Sequence, residues 1–270
     1  MVPYGETLQG RLAKALEGKS RVYSFAASGA PLSQYLIWAR EAVREWGATA
    51  LVINVVGNDF DESRTPYFEA SLAANTTLPG YWIYTPDADQ TLRLKLFELR
   101  QTKGRVTSRS ALARYLVLNL RVGPLLSSLR PLLFGTPAHA APRYAGNTAA
   151  DNGDARVNDS LTAIDAFFRD LPDFVGLPPT HVTFTMDGFR YPERASQTTG
   201  SYFDLMRRAF RTKVEALGYE IIDLDPLFFA RHRRTGERFE YPRDGHWNPA
   251  GHKVAFEAVM ASGLMKRLLQ

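Results

Sequence analysis

The sequence predicts an α/β domain built on a parallel sheet with helices on both faces, and three observations carry that prediction. Strand-like and helix-like segments alternate strictly at both ends of the chain. The run Ala50-Leu51-Val52-Ile53-Asn54-Val55-Val56 is almost continuously apolar, as expected of a strand buried on both faces. Helical segments are followed by glycines, at Gly18, Gly47 and Gly218, which tolerate the left-handed backbone that ends a helix.

The first helix is predicted over 6–16, with Leu8, Leu12, Ala15 and Leu16 on one side. Val22-Tyr23-Ser24-Phe25 predicts a short strand, and Ala26-Ala27-Ser28-Gly29 a small-residue turn. A helix over 32–46 leads to the 50–56 strand, which ends at Gly57-Asn58-Asp59. The alternation resumes with a strand over 182–186, a helix over 202–217 and a strand over 219–223. A last helix starts where Asn248 can cap and Pro249 fits the first helical position, and is expected to run to about Leu269. Between Phe60 and His181 the pattern loosens into four pieces. They are a hairpin around 81–99, an arginine-punctuated helical stretch from Ser110, a loop over 137–158 and an amphipathic helix over 161–168. Residues 60–181 are therefore read as a helical insertion or lid, between the third and fourth strands, within one domain spanning 1–270.

With 270 residues, 45% apolar and 23% charged, the chain has an ordinary globular composition and enough length for a substantial core. It has no cysteine, which excludes disulfides, thiolate nucleophiles and cysteine-ligated zinc. The formal charge is +5, and much of the excess lies over 231–243, around Thr235-Gly236. Few aromatics are interleaved there, so the reading is a solvated basic hairpin and not a nucleic-acid surface. Met1-Val2-Pro3-Tyr4-Gly5-Glu6 lacks the basic region and apolar run of a signal peptide. The most hydrophobic long stretch, 111–134, is interrupted by Arg114, Arg121 and Arg130. Each arginine near a bilayer centre costs about 2.5–3.5 kcal/mol, which argues against a spanning helix. An amphipathic role, over a groove or on a membrane surface, is compatible with the pattern. No cellular compartment and no oligomeric state is assigned by these residues.

No Gly-x-x-x-x-Gly-Lys-Ser/Thr loop and no Gly-x-Gly-x-x-Gly after a strand is present, so no nucleotide cofactor is expected. The histidines His139, His181, His232, His246 and His252 show no metal-ligand register, so no metal is expected either. The chemistry concentrates in Arg243-Asp244-Gly245-His246-Trp247-Asn248-Pro249-Ala250-Gly251-His252. In an extended segment residues two apart share a side. Asp244 can then orient His246 and stabilise the imidazolium that forms when it takes a proton. In an open parallel sheet, strand C-termini converge on one edge. There Gly29, through its N–H, and Asn58, through its amide, are suitable donors to an oxyanion. Asp59, Asp223 and Asp225 are read as turn and capping residues, His252 as a first-turn helix residue, and Trp247 as a core anchor or a substrate platform.

In this order the blocks resemble those of the SGNH (GDSL-type) hydrolases. The family's second block, a strand followed by glycine, is matched by 22–25 and Gly29. Its third, an asparagine after a glycine, is matched by Gly57-Asn58-Asp59, without the usual residue between the two. Its fifth, an aspartate with the catalytic histidine, is matched by Asp244 and His246, spaced by two where many members have three. The resemblance implies a flavodoxin-like three-layer α/β/α fold with strand order 2-1-3-4-5. It also implies cofactor-free ester cleavage, with His246 and Asp244 catalytic and Gly29 and Asn58 in the oxyanion hole. The partner implied is a carbohydrate or small-molecule acyl ester. The Asp-x-His-Trp form is similar to alginate O-acetyltransferase-like proteins, so acetyl transfer to a polysaccharide stands beside hydrolysis. A non-catalytic glycan-binding or scaffold module is the third reading.

The family's first block, Gly-Asp-Ser after the first strand, does not occur in the sequence. The strand that carries it would lie between 22–25 and 50–56, and removing it leaves neighbours roughly 9–10 Å apart. The expectation is that the natural protein extends upstream of Met1 and carries the serine there, the 270 residues being inactive alone. Ser24 and Ser28 lie near the same edge, but Ser28 would occupy the turn that supplies an oxyanion donor.

Overall fold

The computed structural model describes residues 2–74, 80–97, 153–242 and 244–270. The helical stretch from Ser110, the apolar run 111–134 and most of the 137–158 loop lie outside the described residues. The strands are β1 (Leu51–Val55), β2 (Trp82–Pro86), β3 (Leu92–Leu96), β4 (Val182–Met186), β5 (Glu220–Asp223), β6 (Glu240–Tyr241) and β7 (Asp244–Trp247). The helices are α1 (Leu8–Ala15), α2 (Leu32–Arg44), α3 (Thr65–Ala74), α4 (Asp154–Val175), α5 (Pro192–Gln197), α6 (Tyr202–Ala216), α7 (Asp225–Thr235), α8 (Pro249–Met260) and α9 (Gly263–Leu268).

β1, β4 and β5 form a parallel sheet in that order, with Leu51 opposite Val182 and Thr183 opposite Glu220. Strand alternation sends Ile53, Val55, Phe184 and Met186 to one face, where α2, α4 and α6 cover them through Leu32, Leu36, Phe167, Phe168 and Phe210. Phe168, Phe184 and Phe210 form a triangle with ring centroids 5.3–5.6 Å apart, in tilted and edge-on geometries that suit the ring quadrupoles. Burying each ring contributes about 1.5–3 kcal/mol. Val52 and Ile222 take the other face and meet Leu12, Leu16, Val259, Leu264 and Met265 of α1, α8 and α9. The predicted parallel α/β architecture, helices on both faces, is what the chain forms.

Two helix starts agree with their capping chemistry. The Asn248 side chain accepts from Gly251 N–H at 3.0 Å, and Pro249 opens α8. Thr7 accepts from Gly10 N–H at 3.1 Å and caps α1.

Four expectations need correction. The single helix expected from 249 to about 269 is two. Ser262 accepts from Met265 N–H, and the Glu220 carboxylate accepts from Gly263 and Leu264 N–H at 2.7 and 3.0 Å, so α9 starts anew with its own caps. The basic segment expected as a hairpin is half helix. Pro226 and Asp225 open α7, its last turn holds His232, Arg233 and Arg234 where cations suit the helix dipole, and Gly236 closes it at φ +68°. Only the remainder pairs, as β6 against β7. The loop expected to reach 158 ends earlier, because α4 begins at Asp154. The strand expected at Val22-Tyr23-Ser24-Phe25 does not form: 20–27 is neither helix nor strand. A strand exists only within a ladder, and among the described residues β1 pairs with β4 alone, leaving its other edge unmatched.

The segment 60–181 contributes to the main core. β2 and β3 form an antiparallel hairpin whose Tyr84 and Leu92 join the cluster around Phe167 and Phe184. Ser33 and Gln34 of α2 hold Trp82 through its carbonyl at 2.8 Å and its N–H at 3.0 Å. Among the described residues no helix is long and apolar enough to cross a membrane.

Candidate functional site

The loop after β1 is built around Asp59, which is 1% exposed. Its carboxylate accepts from Val56 N–H at 2.8 Å and from the Tyr35 hydroxyl at 3.1 Å, folding Gly57 and Asn58 into a tight turn. Its carbonyl accepts from Ser63 Oγ at 2.6 Å and from Leu32 N–H at 3.1 Å. Leu32 opens α2 directly after the Ser28-Gly29 turn, so this one bond draws the Gly29 turn against the Asn58 loop. Gly29 has φ +70°, a conformation that favours glycine, and the Ser28 carbonyl accepts from Tyr81 Oη at 2.8 Å.

Asn58 is partly buried and donates through Nδ2 to Glu62 at 2.9 Å; Ser71 Oγ donates to the other Glu62 oxygen at 2.5 Å. An amide nitrogen carries two N–H groups, and the bond to Glu62 uses one. The loop concentrates buried acids. Burial raises Asp59 well above the usual carboxylate range, and it raises Glu62 as well. Burial also pushes Asp61 up to about 6, against the opposing pull of Arg156, which contacts it at 2.8 Å.

The end of β4 supplies a second anchor. Asp187 N–H donates to the Val55 carbonyl at 3.0 Å, fastening the ends of β4 and β1 together. The Asp187 carboxylate accepts from Gly188 N–H at 2.8 Å, from Trp247 Nε1 at 3.0 Å, and from Arg190 through Nε at 3.3 Å and Nη2 at 2.6 Å. Arg190 is 1% exposed and also donates through Nη1 to the Gly245 carbonyl at 2.6 Å. Its backbone is left-handed, φ +67°, which costs a non-glycine residue about 1–2 kcal/mol. Arg190 N–H donates to Asp225 Oδ1 at 2.9 Å, and Arg207 donates to the other Asp225 oxygen at 2.6 Å. Asp225 thus does more than turn the chain: it secures the loop after β4.

β7 carries the histidine segment. Asp244 lies opposite Tyr241 and Trp247 opposite Glu240. His246, which is exposed, sits between Gly245 and Trp247. The Asp244 carboxylate lies outside the described side chains, and so does its expected contact with His246. Trp247 is buried against Phe228, with its indole N–H on Asp187, which makes it a core anchor and not a platform. His252 occupies the first turn of α8 and accepts from Leu8 N–H through Nδ1 at 3.2 Å. Burial, helped by the Arg11 and Arg190 charges, lowers it to about 4.

The chain of bonds Leu32–Asp59, Asp187–Val55, Trp247–Asp187 and Arg190–Gly245 therefore places the Gly29 turn, the Asn58 loop and the His246 strand along one edge of the sheet. Sequence reasoning missed Asp187 and Arg190. The available signal was Asp187-Gly188 directly after a predicted strand. A Cβ on Gly188 would lie 2.0 Å from Asp225 Oδ1, which explains the glycine. No family model, no curated protein and no solved structure matches this chain.

Proposed function

We propose that this chain carries the base, its orienting acid and the oxyanion donors of an SGNH-type serine ester hydrolase, acting on a carbohydrate or small acyl ester. The observation that carries the reading is the chain of hydrogen bonds that ties the Gly29, Asn58 and His246 segments to one sheet edge. In the reaction a serine hydroxyl attacks the ester carbonyl while His246 takes its proton and Asp244 stabilises the imidazolium. Gly29 N–H and Asn58 Nδ2 bind the oxyanion. His246 then returns the proton to the departing alcohol; water, deprotonated by His246 in turn, attacks the acyl carbonyl, and the proton passes back to the serine oxygen as the acid leaves.

The attacking serine in this reading is none of the described residues and belongs on a strand pairing with the outer edge of β1. Two contacts support that placement. Val22 packs against the same cluster of Leu12, Val259 and Met265 that Val52 meets on one sheet face, whereas Phe25 packs with the core of the other. The 22–25 segment thus flanks both faces while making no ladder with β1.

A biotinylated fluorophosphonate reacts selectively with a base-activated serine. Applied to the protein isolated from its natural source, it is expected to label one serine, and labelling is expected to vanish in His246→Ala. An unlabelled natural protein, or full labelling of the variant, overturns the reading.

A further inference from the structure

We infer that Asp187 and Arg190 are positioning residues of this site, holding His246 in place through the residues on either side of it. The inference rests on the functional reading for its meaning, but its geometry stands alone. Gly245 and Trp247 flank His246, and each is bound to one member of the same buried ion pair: the Gly245 carbonyl to Arg190 Nη1 at 2.6 Å, the Trp247 indole to Asp187 Oδ1 at 3.0 Å. The pair is itself fixed to the sheet, because Asp187 N–H is bonded to Val55 at the end of β1. A path of three hydrogen bonds then runs from the strand that leads into Asn58 to the strand that carries His246.

The choice of residues fits positioning better than packing. An arginine that is 1% exposed and left-handed would be replaced by a smaller apolar residue if filling space were its only task. A planar guanidinium can instead bind one carboxylate through two nitrogens and leave a third for a carbonyl in a fixed direction. That fork is what Arg190 presents to Asp187 and Gly245. His246 stays near the surface between two fastened neighbours, able to exchange protons with a substrate while its backbone is held. Displacing a catalytic group by about 1 Å can cost roughly a hundredfold in rate, which sets the scale of what such a clamp protects.

The test uses Asp187→Asn and Arg190→Lys, with Trp247→Phe as a second route should either fail to fold, since it leaves the ion pair intact and removes the indole donor with part of the ring. The protein is labelled with 15N-tryptophan and 13C-histidine. Hydrogen exchange of the Trp247 indole and the line shape of His246 Cε1 are read by NMR. In the folded ion-pair variants indole exchange is expected to speed up at least about tenfold, and in all three variants the His246 line is expected to broaden or split. In ester-cleaving natural protein, the same substitutions are expected to lower kcat by roughly tenfold to a hundredfold with KM nearly unchanged. An unchanged His246 line in a folded variant overturns the inference. The resonances are read without turnover, so this failure is distinct from a failure of the hydrolase reading.

Discussion

His252 Nδ1 accepts the backbone N–H of Leu8 at 3.2 Å, joining residues 244 apart in sequence and seating α1 on α8. The bond requires an unprotonated Nδ1. Burial, then the Arg11 and Arg190 charges, hold the ring neutral by lowering it to about 4.

The pH consequence has a definite sign. An unfolded histidine takes up its proton near about pH 6.5, while the folded ring refuses it until about 4. The stabilisation is complete above 6.5, shrinks as pH falls through that window, and is gone below 4. Asp61 acts oppositely: raised to about 6, it favours the fold most at acid pH and less as pH rises through 6. Comparing the protein with His252→Gln cancels the Asp61 contribution, since both proteins carry it. Urea midpoints at pH 7 and pH 4.5 should converge on acidification, by on the order of 1 kcal/mol given the partly solvated ring. Parallel acid losses in the two proteins would remove His252 from the account.

Asn58 is expected to matter for turnover and not for the fold. Its amide is tied to Glu62 by one N–H, which orients the group without using its other donor. Removing an oxyanion donor typically lowers kcat by about a hundred- to a thousandfold. Under the proposed reaction, Asn58→Ala should show that loss with an unfolding midpoint close to the parent's. Near-normal hydrolysis would exclude Asn58 from the oxyanion hole.

Asp59 should behave in the reverse manner, as the structural centre of the same loop. Asp59→Ala strips partners from the partly buried Val56 N–H and Tyr35 hydroxyl, each worth up to about 1–3 kcal/mol when left unsatisfied. Denaturant titration should show a loss of roughly 2–5 kcal/mol. Asp59→Asn should recover part of it, because an amide oxygen can still accept from Val56, and burial already raises the pKa of the Asp59 carboxyl. A loss below about 1 kcal/mol for the alanine variant would show that the loop re-forms around other bonds.

Much of this architecture is legible in local pattern. The 182–186 strand has the bounds its residues predict, because five consecutive residues rich in β-branched and aromatic types favour a strand over a helix. Asn248 and Pro249 announce α8 for the same local reason. Failures arise where tertiary partners decide. Nothing near Ser262 reveals that Glu220, on a strand 43 residues away, will bind Gly263 N–H and interrupt the last helix. Val22-Tyr23-Ser24-Phe25 has strand propensity but no ladder to join among the described residues, and propensity without pairing makes no strand. In the proposed site, Gly29, Asn58 and His246 stand out in the sequence because glycine, amide and imidazole have few substitutes in the chemistry the proposal assigns them. Asp187 and Arg190 are not, since an aspartate and an arginine three apart are ordinary on any surface, and only the fold makes them buried.

Gly188 tests how tightly the β4 loop is built. The Asp225 carboxylate approaches so closely that a Cβ on residue 188 would lie 2.0 Å from Oδ1 and 2.2 Å from Cγ. Asp225 cannot retreat easily, because Arg190 N–H and Arg207 hold its two oxygens. Gly188→Ala must therefore either push Asp225 from Arg207 or shift the Arg190 turn, and overpacking of this kind costs about 1–3 kcal/mol. At Gly5 nothing lies within 4 Å of the place an added Cβ would take, so Gly5→Ala is the matched control. Thermal unfolding should show a clear loss for the first variant and almost none for the second. If Gly188→Ala unfolds with the parent, the Asp225 contact is not rigid, and the anchoring of Arg190 from that side loses its support.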